Sequence, residues 1–325
     1  MARKKMKSDM ISFVYAGKKV NFVKPKKPDY ITEKIDFTRT FYEIELLEWL
    51  EKQTYRKGIF VDIGANIGNH TVFFSKILSR ETWSFEPYKP AYDSLQANIL
   101  ANDLNNVTLF NIGLSDSDSF GDMQIQDTGN IGTATVTRLN KSKGSIQLKS
   151  GDEILKNAKS ISLIKIDVEG FEINVLNGIK RAIEKHSPSL LVECMHSAEF
   201  TKIINFLEPL NYAPRAVFGA TPMILFERDI YPIEASSDLT VFNMNSYLQL
   251  NDAYMHTRNM AQHSESKMRN LDRLLEENNK KVVYYKESLN NSKQAILCIQ
   301  SSPSYKIGRL ITLPLRLLRN LMNLK

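Results

Sequence analysis

The chain has few cysteines and no long apolar segment. Its two cysteines, Cys194 and Cys298, stand far apart in the sequence, so they form neither a disulfide framework nor a zinc-ligand pattern. Such sparse cysteine is typical of a reducing compartment, and we expect a cytoplasmic protein. No window reaches the roughly 18 consecutive apolar residues of a membrane-spanning helix. The charged N-terminus also lacks the apolar stretch of a secretory signal.

Two common phosphate-binding motifs are absent as well. The sequence contains no Gly-x-Gly-x-x-Gly after a predicted strand, and no Gly-Lys followed by Ser or Thr. A dinucleotide-type pyrophosphate loop and a P-loop are therefore not indicated.

Basic residues are concentrated at the two ends of this 325-residue chain, whose net charge is +7. The first 35 residues contain ten Lys and Arg against three Asp and Glu, and the segment from Pro303 onward contains five basic residues and no acidic one. Basic ends can bind nucleic acid, anionic lipid or an acidic polymer. For residues 1–35 we predict a solvated, disordered leader.

Between residues 36 and 243, short apolar runs alternate with helical patterns, which predicts one α/β domain. Strands are predicted at residues 58–64, 82–87, 107–110, 161–168 and 189–194, with a closing hairpin at 216–218 and 223–226 and a loop or hairpin at 127–137. Strands that alternate with helices at this spacing indicate a mostly parallel, doubly wound, Rossmann-like sheet covered on both faces.

The turn after the first of these strands carries a chemical signal. Residues 61–69 read Val-Asp-Ile-Gly-Ala-Asn-Ile-Gly-Asn, which is an acidic strand end followed by two glycines that frame the entry into a helix. Small residues let the backbone approach a ligand, and free N–H groups at a helix start suit a carboxylate. The candidate cofactor-binding residues in this turn are Asp62, Gly64, Ala65, Asn66, Gly68 and Asn69.

Glu86 ends the next predicted strand, about 20 residues after the glycine turn. A carboxylate at this position can accept hydrogen bonds from both hydroxyls of a ribose. The alternative is a strand-end carboxylate that faces solvent. The two features in this order favour a nucleoside-binding site.

Three carboxylates, Asp167, Glu169 and Glu172, follow the fourth predicted strand. The carboxyl ends of parallel strands are where ligands bind in open α/β sheets. A carboxylate there can take a proton from an attacking hydroxyl, and two or three could instead hold a hard divalent cation. Glu169 and Glu172 could also be first-turn helix residues that complement the helix dipole. The residues leave the presence of a metal open.

These motifs, in this order, resemble the FkbM family of S-adenosylmethionine-dependent methyltransferases. The resemblance covers roughly residues 36–227 and includes 41–47, 113–116 and 152–155, although Gly151 replaces a leucine of the last motif. It implies a class I methyltransferase fold and methyl transfer from S-adenosylmethionine to oxygen, commonly a sugar hydroxyl.

The resemblance also implies roles for individual residues. Asp62, Gly64, Asn66 and Gly68 would line the methionine and ribose portions of the cofactor. Glu86 would hold the ribose, and Asp116 would lie near the adenine. Asp167, Glu169 and Glu172 would face the acceptor. His70, after the glycine turn, and His196, after the fifth strand, are further candidates for proton transfer, although a lone histidine is more often structural.

The last 82 residues predict a helical extension. Apolar residues recur every seven positions at Met268, Leu275, Val282, Leu289 and Ile296, which predicts a coiled-coil segment over 244–300 and a homo-oligomer. A single helix packed on its own domain is the alternative. Residues 301–325 form a basic amphipathic pattern like the tails of bacterial surface-glycan enzymes, and such a helix can lie on an anionic membrane or on a partner protein.

We therefore predict an O-methyltransferase that methylates a sugar hydroxyl of a capsular or lipopolysaccharide-type glycan, located in the cytoplasm or at the inner face of the membrane. Methylation of a nucleic acid or small metabolite is one alternative. Nucleic acid is disfavoured because no aromatic-interleaved basic patch flanks the site motifs. A scaffold that recruits glycan-assembly partners to the membrane is another, and the acidic cluster argues against it.

Overall fold

The computed structural model describes residues 10–25, 29–53, 55, 57–124, 135–139, 144–219, 221–228, 248–249, 278–291 and 293–294. The chain divides into two compact units, Met1–Pro232 and Ile233–Lys325. All of the strands and helices labelled below with β or α lie in the first unit.

The described strands are β1 (Met10–Tyr15), β2 (Lys18–Val23), β3 (Ile59–Ile63), β4 (Thr82–Phe85), β5 (Val107–Phe110), β6 (Gly113–Ser115), β7 (Ser119–Gln124), β8 (Thr135–Leu139), β9 (Ile146–Ser150), β10 (Ile161–Ile166), β11 (Ser189–Glu193), β12 (Tyr212–Phe218) and β13 (Met223–Arg228). The helices are α1 (Tyr30–Thr38), α2 (Ile44–Glu51), α3 (Asn69–Val72), α4 (Lys89–Ala101), α5 (Gly151–Leu155), α6 (Glu172–Gly178), α7 (Lys180–His186) and α8 (Ser197–Leu207). A π-helical turn (Phe73–Ile77) continues α3, and a 3-10 turn (Glu208–Leu210) continues α8.

A seven-stranded sheet in the order β12-β13-β11-β10-β3-β4-β5 forms the centre of the unit. The five strands from β11 to β5 are parallel, and β13 runs antiparallel to both of its neighbours, β11 and β12. Along the chain, β3, β4 and β5 are placed in order towards one edge of the sheet, and β10 then pairs with the opposite side of β3. Ligands bind at such a switch point, beyond the carboxyl ends of the strands. The predicted Rossmann-like, mostly parallel sheet is confirmed.

The two central strands are buried along their whole length. Every residue of β3 and β10 is buried, as expected for parallel strands covered on both faces. Each strand nevertheless contains one charged residue, and the two are register partners: Lys165 of β10 lies opposite Asp62 of β3. The charged pair therefore lies inside the sheet at the switch point.

A smaller sheet, in the order β6-β9-β7-β8, follows the central one. The strands β7 and β8 pair antiparallel. Of the segment 127–137, for which a loop or hairpin was predicted, only residues 135–137 are described, and they lie in β8. The strands β6 and β9 were not predicted, because runs of three and five residues carry too little periodicity to stand out.

The prediction of a disordered leader over residues 1–35 is wrong for the described part of that segment. β1 and β2 form a hairpin, and α1 follows it. The alternation that places Ile11 and Phe13 on one face of β1, and Val20 and Phe22 on one face of β2, buries all four side chains. The lysines are interleaved with these apolar residues, so the overall charge hid a two-residue hydrophobic period.

The hairpin is held by an aromatic cluster around Phe41. The Phe41 ring makes edge-on contacts with Phe13, Tyr15 and Phe22 of the hairpin and with Phe73 of the π-helical turn, at centroid distances of 5.1–6.0 Å. Edge-to-face pairs at this spacing are favourable beyond the area they bury. The cluster therefore joins the N-terminal hairpin to the segment that follows the glycine turn.

In the second unit, residues 278–291 and 293–294 are helical. Two members of the predicted heptad seam, Val282 and Leu289, lie in this helix, and Leu289 is buried. Met268, Leu275 and Ile296 lie outside the described residues, as does the basic tail 301–325. The coiled coil, the oligomer and the membrane contact stay predictions. Among the helices of the described residues, none combines the length and apolarity needed to cross a membrane.

We expect Phe41→Ala to lower the free energy of unfolding by about 3–5 kcal/mol, because it removes the central ring of the aromatic cluster and leaves a cavity. Urea denaturation measures this change. The matched control is Phe37→Ala, at a ring that is 86% exposed, where little change is expected. Equal effects of the two substitutions would show that the cluster does not stabilise the hairpin.

Candidate active site

A cavity of about 260 Å³ opens at the carboxyl ends of β3, β4 and β10, at the switch point of the sheet. It contains residues from each sequence motif. Of the predicted site residues, those that line it are Gly64, Ala65, Asn66, Asn69, His70, Glu86, Asp167 and Glu169, and those that do not are Asp62, Gly68, Asp116, Glu172 and His196.

The glycine turn forms one wall of the cavity. Gly64 has a φ of +78°, and a Cβ atom there would lie 1.7 Å from the carbonyl oxygen of Asp167. Gly68 has a φ of +90° and sits behind the lining. Both positions therefore need glycine, and the first lets the ends of β3 and β10 approach each other. This approach leaves Ala65 and Asn66 facing the cavity.

Glu86 connects the glycine turn to the start of α4. Its Oε2 accepts a hydrogen bond from the backbone N–H of Asn66 at 2.9 Å, and its Oε1 accepts one from Tyr88 at 2.8 Å. Burial raises the pKa of Glu86 to about 7, although these two backbone donors act in the opposite direction. The carboxyl group is thus fixed in position and retains lone pairs for donors from a ligand.

Beyond Glu86 the cavity is largely apolar. Its lining in this part comes from Pro87, Ala91, Ile112, Gly113, Leu114 and Leu148. Aliphatic side chains and bare backbone suit a flat aromatic base. Asp116 lies outside this lining and is exposed, and its Oδ1 accepts hydrogen bonds from the hydroxyls of Ser115 and Ser117.

A buried network of charged and hydroxyl groups lies beneath the glycine turn. Asp62 is fully buried; its Oδ2 accepts a hydrogen bond from Thr71 Oγ1 at 2.6 Å, and its Oδ1 lies 3.5 Å from Lys165 Nζ. Lys165 Nζ also lies 3.0 Å from Asp167 Oδ2. Burial alone would lower the pKa of Lys165, but Asp167 and Asp62 together raise it above its usual range. The lysine is therefore charged and holds the Asp167 carboxylate in place.

Three carboxyl groups converge at the opposite end of the cavity from the apolar part. One oxygen from each of Asp167, Glu169 and Glu193 lies within 4.8 Å of the others. The sequence reasoning missed Glu193, the last residue of β11. The rule that singled out Glu86, a carboxylate at the end of a buried strand, could have found it, but the neighbouring position of β10 and β11 is a property of the folded sheet.

The ionisation of the three groups is unequal. Burial opposes the charge on Asp167, but Lys165 outweighs it and the pKa of Asp167 falls below its usual range. Burial, followed by the charge of Asp167, raises the pKa of Glu169 to about 7. The same two causes raise the pKa of Glu193 well above its usual value. One member of the cluster is thus charged, and the other two hold protons more tightly than free glutamates.

Glu172 supports the cluster from behind. It is buried as the first residue of α6, and its Oε1 accepts hydrogen bonds from the backbone N–H groups of Val168 and Gly170. These bonds fix the loop in which Glu169 adopts a φ of +53°. Glu172 lies outside the cavity lining. This position does not agree with the prediction that Glu172 faces the acceptor.

The two histidines have different surroundings. His70 is buried and lines the cavity, with its Nε2 3.3 Å from Glu43 Oε2. His196 is exposed at the start of α8, where its backbone N–H donates to Glu199 Oε2. Asn69 binds the backbone of Tyr42 through both its amide oxygen and its amide nitrogen, which brings Tyr42 and Glu43 to the acidic end of the cavity.

The arrangement can hold a nucleoside and present a hydroxyl group to carboxylates. Glu86 and the apolar part provide the first capacity. At the other end, Asp167 can accept a proton, and the three-carboxylate cluster has the all-oxygen donor set of a site for a hard cation.

The part of the chain that contains most of this site is similar to known proteins. Residues 62–214 match the model of the methyltransferase FkbM domain. The chain is similar to the hexuronic acid methyltransferase AglP of Haloferax volcanii, with 25% identity over 178 residues, which are 50% of this chain and 72% of the relative.

Two solved structures are also similar. The methyltransferase FkbM of Methylobacillus flagellatus KT has 21% identity and a TM-score of 0.41, and the match covers 53% of this chain and 43% of that one. SMU.1697c of Streptococcus mutans, solved in complex with SAH, has 16% identity and a TM-score of 0.36, with 57% and 96% covered. The match thus spans less than half of the length of the Methylobacillus protein.

Gly64→Ala should strongly destabilise the protein, because a methyl group has no space beside the Asp167 carbonyl. Gly170→Ala is the matched control, since its φ is +92° and nothing lies within 4 Å of the added atom. The control should cost only the about 1–2 kcal/mol of a left-handed conformation. Urea denaturation compares the two. A loss at position 64 no larger than at position 170 would contradict the close approach of β3 and β10.

The raised pKa of Glu86 predicts a pH-dependent stability. A carboxyl group whose pKa rises from 4.5 to about 7 on folding stabilises the ligand-free protein at low pH. This contribution disappears as the pH rises through 7 and amounts to roughly 3 kcal/mol. Glu86→Gln should remove it.

The measurement is the free energy of unfolding of wild type, Glu86→Gln and the exposed-site control Glu45→Gln between pH 5 and pH 8. The pH-dependent slope of Glu86→Gln should be shallower than that of the other two, whatever its absolute stability. Parallel slopes in all three proteins would show that Glu86 has an ordinary pKa.

Proposed function

We propose that this enzyme transfers a methyl group from S-adenosylmethionine to a hydroxyl group of a sugar in a cell-surface glycan, since residues 62–214 match the model of the methyltransferase FkbM domain. The observation that supports this most is that one cavity contains both an apolar part next to Glu86 and a carboxylate cluster next to Lys165.

The chain provides distinct contacts for the donor. Glu86, fixed by two backbone N–H groups, would accept hydrogen bonds from the ribose hydroxyls. The glycine turn, with Ala65 and Asn66 at the cavity surface, would contact the methionine portion. Ile112, Leu114 and Leu148 would enclose the adenine. Asp62, fully buried and bonded to Thr71 and Lys165, supports the turn from below.

The proposed reaction requires no covalent bond between the protein and the substrates. S-adenosylmethionine supplies a methyl group on a positively charged sulfur, which already activates it. The acceptor oxygen forms the new bond to the methyl carbon as the carbon–sulfur bond breaks, and the hydroxyl proton goes to a carboxylate. Asp167 is suited to accept this proton because Lys165 keeps it ionised and oriented. The rest of the rate acceleration comes from the alignment of donor and acceptor in the cavity.

The acceptor class rests on the relative and on the cavity. The relative in Haloferax volcanii is a hexuronic acid methyltransferase, which supports a sugar acceptor. The acidic end of the cavity is lined by Tyr30, Tyr42 and Thr221 as well as by the carboxylates. Rings and hydroxyl groups of this kind suit the apolar faces and hydroxyls of a sugar.

We expect Glu86→Gln to weaken S-adenosylmethionine binding at least tenfold, measured by titration calorimetry, because an amide cannot accept hydrogen bonds at both of its positions. Asp116→Asn, at an exposed side chain outside the cavity lining, is the matched control and should bind as wild type does. A similar loss in Asp116→Asn would instead support the adenine contact predicted from the family.

The acceptor is tested by mass spectrometry of the surface glycan from cells with and without the gene. A sugar residue lighter by one methyl group in the deletion strain is the expected result. Complementation with Asp167→Asn should leave the sugar unmethylated although this variant still binds S-adenosylmethionine. An unchanged glycan would refute a glycan acceptor.

A further inference from the structure

Proton removal requires one carboxylate, yet three converge at the acidic end of the cavity. Asp167 satisfies that need by itself, since Lys165 holds it ionised. Glu169 and Glu193 add two more groups whose oxygens lie within 4.8 Å of it and of each other. Methyl transfer from a sulfonium does not explain why two further acidic groups are placed against it.

Glu193 gives a second observation that points to a ligand. Its side chain is 6% exposed, it lines the cavity, and its Oε2 accepts a hydrogen bond from none of the described N–H or O–H groups. The contact of Glu193 is instead with the carboxyl group of Asp167. Two carboxyl groups in contact beside a cavity need either a shared proton or a cation between them.

The charge of Lys165 already interacts with two aspartates. The Lys165 ammonium lies between Asp62 on one side and Asp167 on the other, so the positive charge is shared by the two aspartates. Glu169 and Glu193 are further acidic groups beside Asp167, and no described ion pair joins either of them to Lys165. The two glutamates therefore depend on protons or on another cation.

We propose that Asp167, Glu169 and Glu193 bind one hard divalent cation of the Mg²⁺, Mn²⁺ or Ca²⁺ class. An all-carboxylate donor set favours these ions over zinc or copper, which select nitrogen and sulfur ligands. Because one oxygen of each group lies within 4.8 Å of the others, a point within about 2.8 Å of all three exists, which is close to the roughly 2.3–2.6 Å of calcium–oxygen bonds.

The cation would have a specific use in the reaction, and this part of the inference rests on the proposed function. An ion at the acidic end can coordinate the acceptor hydroxyl, lower its pKa and hold its oxygen in line with the methyl group. It would also balance the negative charge of an acidic sugar, which three carboxylates alone would repel.

The test is direct binding of Mn²⁺ to the full-length protein after treatment with EDTA, followed by electron paramagnetic resonance. We expect one Mn²⁺ per chain, displaced by Mg²⁺ or Ca²⁺, and at least tenfold weaker binding in Glu193→Gln and in Glu169→Gln. The matched control is Glu153→Gln, at an exposed carboxylate that pairs with Lys156 and Arg181, which should bind as wild type does.

Folding of the variants is checked by thermal denaturation without metal. Glu193→Gln should melt no lower than wild type, because it removes a carboxyl group that its neighbours repel, but it should lose the increase in Tm that Mn²⁺ gives to wild type. Absence of stoichiometric Mn²⁺ binding at millimolar concentration would overturn the proposal, as would wild-type affinity in both glutamine variants.

Mn²⁺ binding and sugar methylation can be measured independently, so the cation site can fail while the proposed function holds, and the reverse. Stoichiometric Mn²⁺ binding that depends on Glu193, in a protein that methylates no sugar, would uphold the cation site and refute the sugar acceptor. Sugar methylation that is equally fast in EDTA, by a protein that binds no Mn²⁺, would uphold the function and refute the cation site.

Discussion

The buried ammonium of Lys165 is the interaction on which the site depends. It lies between Asp62 of β3 and Asp167 at the end of β10, within the two central strands of the sheet. Asp62 in turn accepts a hydrogen bond from Thr71, whose hydroxyl contacts Ser84 of β4. One buried network therefore joins three neighbouring strands and the helix after the glycine turn. Removing one member of such a network leaves uncompensated buried charge, which costs far more than a surface ion pair contributes.

The same network separates structural from chemical carboxylates. Asp62 and Asp167 both form ion pairs with Lys165. Asp62 is fully buried and supports the glycine turn, whereas Asp167 lines the cavity. A second set of contacts orients the cavity from the N-terminal side. Asn98 accepts a hydrogen bond from the backbone N–H of Val23 in the hairpin and donates one to the carbonyl of Ile67 in the turn. The hairpin is thus part of the support of the glycine turn rather than an appendage.

Much of the central sheet and half of the site could be predicted from local patterns. Buried apolar runs bounded by turn residues identify β3 and β10, and the two glycines, Glu86 and Asp167 each stand at the end of such a run. The N-terminal hairpin escaped prediction because its lysines dominate the composition of that segment. Asp116, Glu172 and His196 were named from motif or residue type, and neither indicates whether a side chain points into the cavity, towards its own loop or to solvent.

The sequence by itself determined the order of strands and helices, the glycine turn and the carboxylates at the strand ends, because these depend on residues near one another in the chain. Only the tertiary structure decided which of the carboxylates meet. The helices α6 and α7 separate Asp167 from Glu193 in the sequence. The two residues come together because β11 pairs with β10 in parallel. Lys165 and Asp62 likewise become partners through strand register, a long-range property that no local period encodes. The glycine turn and Glu86 could therefore be predicted from the sequence, whereas the acidic cluster required the folded sheet.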